Sequence, residues 1–123
     1  MEGDKTILVI EDDEVNMKLV RTLLTMGNYQ ILEAVGAERG ITIAREHKPD
    51  LILMDIQLSG MNGLSATQTI KADPATKGIP VIAITAFAMK GDKEKALDAG
   101  CAGYITKPID TRGFLETIAQ YLK

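Results

Sequence analysis

Thr6-Ile7-Leu8-Val9-Ile10-Glu11-Asp12-Asp13-Glu14 sets an apolar run directly against four consecutive acids. The run is continuous rather than alternating, the mark of a strand covered on both faces. Adjacent carboxylates repel one another, and burying any of them costs free energy unless something positive stands nearby. Two readings are open at this point: a solvated loop, or a cluster that faces a cation.

Three further apolar runs resemble the first: "LILM" (51–54), "IPVIAI" (79–84) and "AGYIT" (102–106), with a weaker one in "YQILEA" (29–34). Helical stripes lie between them. Leu19, Val20, Leu23 and Leu24 form one that runs toward Gly27 as a stop. Ala37, Ile41 and Ala44 form a second, ending before Pro49, and Leu64, Thr67 and Ile70 a third, ending near Asp73-Pro74. A weakly amphipathic stretch over about 88–99 precedes Gly100, and Phe114, Leu115, Ile118 and Leu122 make the clearest stripe, with Thr111 expected as its N-cap and Asp110 as competitor. Strand and helix alternate five times. That order predicts an α/β fold, a five-stranded parallel sheet with helices on both faces.

The chain has 123 residues, the size of one domain, and a single domain over 1–123 with an ordered core of about 5–122 and no output domain is expected. Hydrophobic residues make up 46% and charged ones 25%, enough for a core without staples. The net charge is −3 and the pI about 5.1, so nucleic acid is not an expected partner. One cysteine, Cys101, permits no internal disulfide and no Cys-based zinc cage, and reads as a small buried residue. The apolar run at 7–10 is too short for a signal peptide or membrane span. A soluble cytoplasmic protein, not attached to a membrane, is expected.

The strands end on polar groups. Glu11-Asp12-Asp13 follow the first, Asp55 the third, Thr85 the fourth and Lys107-Pro108 the fifth. In an open parallel sheet these ends share the edge where ligands bind. Carboxylates clustered there suit Mg²⁺, which takes a few oxygen ligands and shares a phosphate. A lysine and a threonine nearby suit phosphoryl oxygens, and a carboxylate can itself become an aspartyl-phosphate. Asp55, alone at its strand end, is the candidate nucleophile, with the first strand's acids holding the metal.

The ordered set "ILVIEDDEVN", "LILMDIQLSGMNG", "VIAITA" and "GYITKPI" resembles the receiver domain of two-component response regulators over essentially the whole chain. "NMKL", "DLILMDIQL" and "TAFAMKGD" look especially similar to single-domain members. The resemblance implies the flavodoxin-like strand order 2-1-3-4-5. It implies that Asp55 accepts a phosphoryl group from a histidine kinase or a histidine phosphotransfer protein. Mg²⁺, for which Mn²⁺ could substitute, would be held by Glu11, Asp12, Asp55 and the backbone carbonyl of Gln57. Thr85 and Lys107 would grip the phosphoryl oxygens, and Tyr104 would be the switch aromatic that turns inward with Thr85. The peptide before Pro108 is expected to be cis. Kinase contacts would fall on Val15, Asn16, Met17, Pro108 and Ile109. The sequence departs from the family pattern at Ser59, where a proline is common, and in carrying Glu-Asp rather than Asp-Asp as the metal pair. Asp13, Gln57 and Phe87 stand where the family tunes phosphate lifetime.

Each residue taken alone has a plainer reading. Asp55 would cap a turn, Lys107 would be a solvated loop lysine, Thr85 a satisfied strand threonine and Tyr104 a half-buried edge tyrosine. The polar ends of four strands together reverse the reading for the first three. His47, in "REHKPD", reads as a surface cation near a helix end. Most methionines read as core, with Met17 and Met89 expected to be exposed near the site. Phe87 to Asp92 read as a mobile loop coupling phosphate to a partner face. The register of the acids stays open between Glu11-Asp12 and Asp12-Asp13, and the resemblance favours the earlier pair. Glu14 belongs to the first helix.

The expected protein is thus a single-domain response regulator, a monomer or weak dimer. It would signal to a downstream protein and catalyse only its own phosphorylation and dephosphorylation. A receiver module of a hybrid kinase or a phosphorelay intermediate is the alternative. A phosphatase would need a second acid two residues after the nucleophile, where Gln57 stands, and a flavin module would not place four acids at its phosphate loop.

Overall fold

The computed structural model describes residues 5–56, 62–85, 90–107 and 109–122, with backbone alone at 90–93. Five strands, β1 (Thr6–Ile10), β2 (Gln30–Ala34), β3 (Leu51–Asp55), β4 (Val81–Thr85) and β5 (Gly103–Thr106), alternate with five helices. These are α1 (Glu14–Met26), α2 (Ala37–His47), α3 (Gly63–Ala72), α4 (Lys90–Ala99) and α5 (Phe114–Tyr121). All strand pairs are parallel, in the order β2-β1-β3-β4-β5, as expected.

The continuous apolar runs are explained by two cores, one on each face of the sheet. Ile7, Val9, Leu51, Leu53, Ile82 and Ile84 point to one side, against Val20, Leu24, Phe114 and Ile118 of α1 and α5. Leu8, Ile10, Ile52, Met54, Val81 and Ala83 point to the other, against Ile41, Ala44, Ala66, Ile70 and Ala96 of α2, α3 and α4. Successive strand residues face opposite ways, so a strand buried on both sides has no solvent-facing position, and polar residues are left to its ends. At about 25 cal/mol per Å² of apolar surface removed from water, these two layers supply the dominant stabilisation of the fold.

Local chemistry sets the helix limits. Asp13 is the N-cap of α1: its carboxylate accepts from the Val15 amide at 3.0 Å and from Asn16 Nδ2 at 2.9 Å. Helix α1 stops at Gly27, as expected, but the left-handed residue is Asn28 (φ 65°), whose short polar side chain tolerates that region. Helix α2 ends on Lys48 (φ 47°), the residue before Pro49, because the proline ring bars that position from right-handed helical geometry. The expected N-cap at Thr111 is corrected. Helix α5 begins at Phe114 behind Gly113, and Asp110 instead holds the preceding turn by accepting from the Arg112 amide at 3.0 Å. No helix among the described residues is long and apolar enough to cross a membrane.

The topology reverses direction between β1 and β3. Chain order runs outward from β1 to β2 on one side and from β3 to β5 on the other. The crevice of such a sheet opens at this reversal, beyond the carboxyl ends of β1 and β3. Those are the ends that carry Glu11-Asp12 and Asp55.

Candidate functional site

Asp55 is the last residue of β3 and is 2% exposed. Glu11 follows β1 directly and is equally buried, while Asp12 beside it is exposed. Neighbouring strands β1 and β3 bring the acids together. Among the described residues, carboxylate oxygens of Glu11, Asp12 and Asp55 lie within 4.8 Å of one another. Lys107 follows β5 and reaches across β4, its Nζ 3.2 Å from Asp55 Oδ2 and 3.5 Å from Glu11 Oε1. Its amide donates to the Thr85 carbonyl at 2.7 Å, which ties the end of β5 to the end of β4. Thr85, 3% exposed, closes the same edge.

The electrostatics follow from this crowding. Burial, then the hydrogen-bonded contact with Asp55, pushes the Glu11 carboxyl up to about 7, against the opposing pull of the Asp13 amide and the Lys107 charge. The Asp13 amide donates to Glu11 Oε2 at 3.2 Å. Partial burial works to lower the Lys107 ammonium, but the carboxylates of Asp55 and Glu11 outweigh it, so its pKa is raised and it stays charged. Glu11 Oε1 is buried and has no hydrogen-bond partner. The Lys107 ammonium thus pairs with Asp55 and Glu11, and Glu11 Oε1 meets its charge without a hydrogen bond. The oxygen-only set of Glu11, Asp12 and Asp55 fits a hard divalent cation. A cleft of about 270 Å³, lined by Glu11, Asp12, Glu14 and the ion pair of Arg21 with Glu33, gives it access to solvent.

The register question has a physical answer. Asp13 is committed to capping α1, so the acids left to face the crevice are Glu11 and Asp12. That capping role was missed in the sequence, although an Asp just ahead of a helical stripe is its ordinary signal. Glu14 sits in the first turn of α1.

Tyr104 is half-buried on β5, opposite Ala83, and packs against the α2–α4 face. A second cleft, about 360 Å³, opens along β5 and α5 beside Tyr104 and Phe114. Of the expected kinase contacts, Val15 is 74% exposed and Asn16 is half-buried. Met17 corrects the expectation of an exposed methionine: at 5% exposure it belongs to the core under α1, because one face of that helix must cover Val9 and Leu53. Ile109 likewise turns inward to the same core, at 8% exposure. Gln57, Ser59, Phe87, Met89 and Pro108 lie outside the described residues, as do the side chains of 90–93. His47 is exposed in the last turn of α2, and Cys101 is buried beside Thr67, its thiol pushed up by burial.

A sheet in the order 2-1-3-4-5 with acids at its reversal defines a class, and residues 7–119 match the response regulator receiver domain. The chain belongs to that family, a family of signalling proteins. It is 48% identical over 118 residues to the polar-differentiation response regulator DivK of Brucella anthropi, covering 96% of each chain. Its fold matches the receiver domain of a sensor histidine kinase from Pseudomonas aeruginosa PAO1, solved with a magnesium ion coordinated in the active site cleft. That TM-score is 0.90 at 30% identity, with 98% of each chain covered. It also matches the receiver domain of a response regulator from Saccharomyces cerevisiae, co-crystallised with its histidine phosphotransfer signalling protein. There the TM-score is 0.88 at 26% identity, over 96% of this chain and 88% of that one.

Proposed function

We propose that this chain is a single-domain, phosphorylation-operated switch whose acceptor is Asp55. The observation that carries this reading is the Lys107 ammonium lodged between two buried carboxylates, Asp55 and Glu11, beside Asp12. An ammonium in that position is poised to follow a phosphoryl group and hold its oxygens.

The chemistry is a displacement at phosphorus. An Asp55 carboxylate oxygen attacks a phosphohistidine of a kinase or phosphotransfer protein, an O–P bond forms, and the N–P bond breaks with its electron pair leaving on the imidazole nitrogen. Glu11, Asp12 and Asp55 would hold Mg²⁺, with Mn²⁺ an acceptable substitute and the Gln57 carbonyl a further ligand. The ion, when bound, supplies positive charge to offset the acids and the incoming phosphate. Lys107 neutralises the phosphoryl oxygens, and Thr85, at the end of β4, donates its hydroxyl to one of them. Burial of Asp55 at 2% exposure limits competing water. The magnesium-bearing relative from Pseudomonas supports the metal assignment, and the yeast complex supports a histidine phosphotransfer protein or kinase as donor.

Val15 and Asn16, at the mouth of the site, are the contacts assigned to that donor, together with Pro108. Thr85 and Tyr104 carry the signal outward through β4 and β5 toward the α5 edge, and a downstream protein reads it. The match to a DivK over 96% of each chain supports the single-domain reading, and a cytoplasmic location belongs to that reading. In this role the chain catalyses only its own phosphorylation and dephosphorylation.

Intact-mass measurement after incubation with Mg²⁺ and a small phosphodonor tests this. One phosphate adds to the wild type and none to Asp55→Asn. Equal labelling of the two proteins rejects the assignment.

A further inference from the structure

The first residue of α3 is a buried glycine pressed against the backbone of the proposed acceptor. A Cβ built on Gly63 would lie 2.5 Å from the Asp55 carbonyl oxygen, 2.5 Å from Ile56 Cα and 3.1 Å from the Asp55 carbonyl carbon. Comfortable contact between such atoms needs about 3.5 Å, so an alanine here would force a shift of roughly 1 Å. The obstacle is main chain, not the end of a flexible side chain. Gly63 is helical, so left-handed freedom is not what it provides. Alanine is the better helix former, yet the space excludes it.

Neither side of the contact can yield freely. Helix α3 is anchored by Ala66 and Ile70, both fully buried, and its Gly63 amide donates to the Ile56 carbonyl at 3.4 Å. Asn62 caps the helix, accepting from the Ser65 amide at 2.9 Å. The end of β3 is held by the Ile56 amide, which donates to the Ile84 carbonyl at 3.1 Å. Asp55 therefore stands at a height fixed by how closely α3 approaches its peptide.

We infer that Gly63 is a positioning residue. Its missing Cβ lets α3 seat on the Asp55–Ile56 peptide and so aims the Asp55 carboxylate at Lys107 and at the Glu11-Asp12 pair. This rests on the proposed phosphoacceptor role. Misplacement of about 1 Å in a reacting group can cost roughly a hundredfold in rate.

The test compares Gly63→Ala with Gly78→Ala, whose Cβ would meet nothing within 4 Å. Labelling rate constants are measured at saturating Mg²⁺ and saturating phosphodonor, with circular dichroism to establish the folded fraction. Gly63→Ala slows labelling per folded molecule at least tenfold, while Gly78→Ala stays within about twofold. A purely structural glycine would lower the melting temperature without changing that rate, and a wild-type rate in Gly63→Ala overturns the inference. Should Gly63→Ala not fold, Ala66→Val decides. A larger side chain on this fully buried face moves α3 relative to the Asp55–Ile56 peptide and slows labelling severalfold, and an unchanged rate overturns the inference. If the wild type itself takes up no phosphate, it is the phosphoacceptor reading that fails. Amide NMR shifts then judge the geometry: Gly63→Ala must displace the Asp55 and Ile56 signals, or in the unfolded case Ala66→Val must, and their staying in place overturns the inference.

Discussion

Glu11 shows how a single residue is shaped by its neighbours. Its carboxyl, ordinarily at 4.5, is raised to about 7 by burial and by Asp55, with Lys107 and the Asp13 amide pulling the other way. The raised group favours folding while protonated, so its contribution is complete below about 4.5 and is lost as pH rises through 7. In metal-free protein, Glu11 should therefore cost on the order of 3 kcal/mol between pH 4.5 and 8 relative to a neutral side chain. Urea unfolding followed by circular dichroism in a chelating buffer checks this. Glu11→Gln is expected to be more stable than the wild type at pH 8 and close to it at pH 4.5. Equal stabilities at pH 8 would refute the burial argument. At this scale the gathering of Asp55, Asp12 and Lys107 at one sheet edge was legible, because a charged residue directly after an apolar run is visible in the sequence. The direction of Met17 and Ile109 was not, because an apolar side chain near a site looks the same in sequence whether it faces a partner or the core.

At the scale of elements, α1 is fixed at its start by Asp13 and on its buried face by Val20, Leu23 and Leu24. Asp13→Ala removes an acceptor for the Val15 amide and for Asn16, and should lower stability by about 1 kcal/mol in denaturant titration. Leu24→Ala, with Leu24 fully buried between α1 and the sheet, should cost about 2–5 kcal/mol by the same measurement. The stripes of α1, α2 and α3 were readable because burial on one face imposes the helical period. The start of α5 was not. Thr111 and Asp110 are both good caps, and the choice between them and Gly113 depends on how the chain turns after β5. Strand β2 was the weakest run in sequence for a physical reason: as an edge strand it leaves Gln30 and Glu33 exposed, so its pattern is broken.

At the scale of the whole molecule, the acids of β1 and β3 repel one another across the crevice, and a bound divalent cation should relieve this. Thermal unfolding should therefore shift upward with Mg²⁺, by about 2.7 kcal/mol of added stability at a hundredfold excess over Kd. Chelation should reverse the shift, and Asp12→Asn should blunt it. A wild-type transition indifferent to Mg²⁺ would contradict the metal assignment.

The alternation of five apolar runs with five amphipathic stripes determined the fold class, because strands buried on two faces and helices buried on one leave different periods in the sequence. The residues at the strand ends disclosed that acids and a lysine would gather at one sheet edge. Only the tertiary structure decided which acids share the crevice, since Asp13 turned to cap α1 while Glu11 was drawn into the sheet edge. It alone also disclosed the contact between Gly63 and Asp55. A glycine in sequence does not say whether it is there for a turn or for space; that depends on which backbone lies 2.5 Å from the Cβ it lacks.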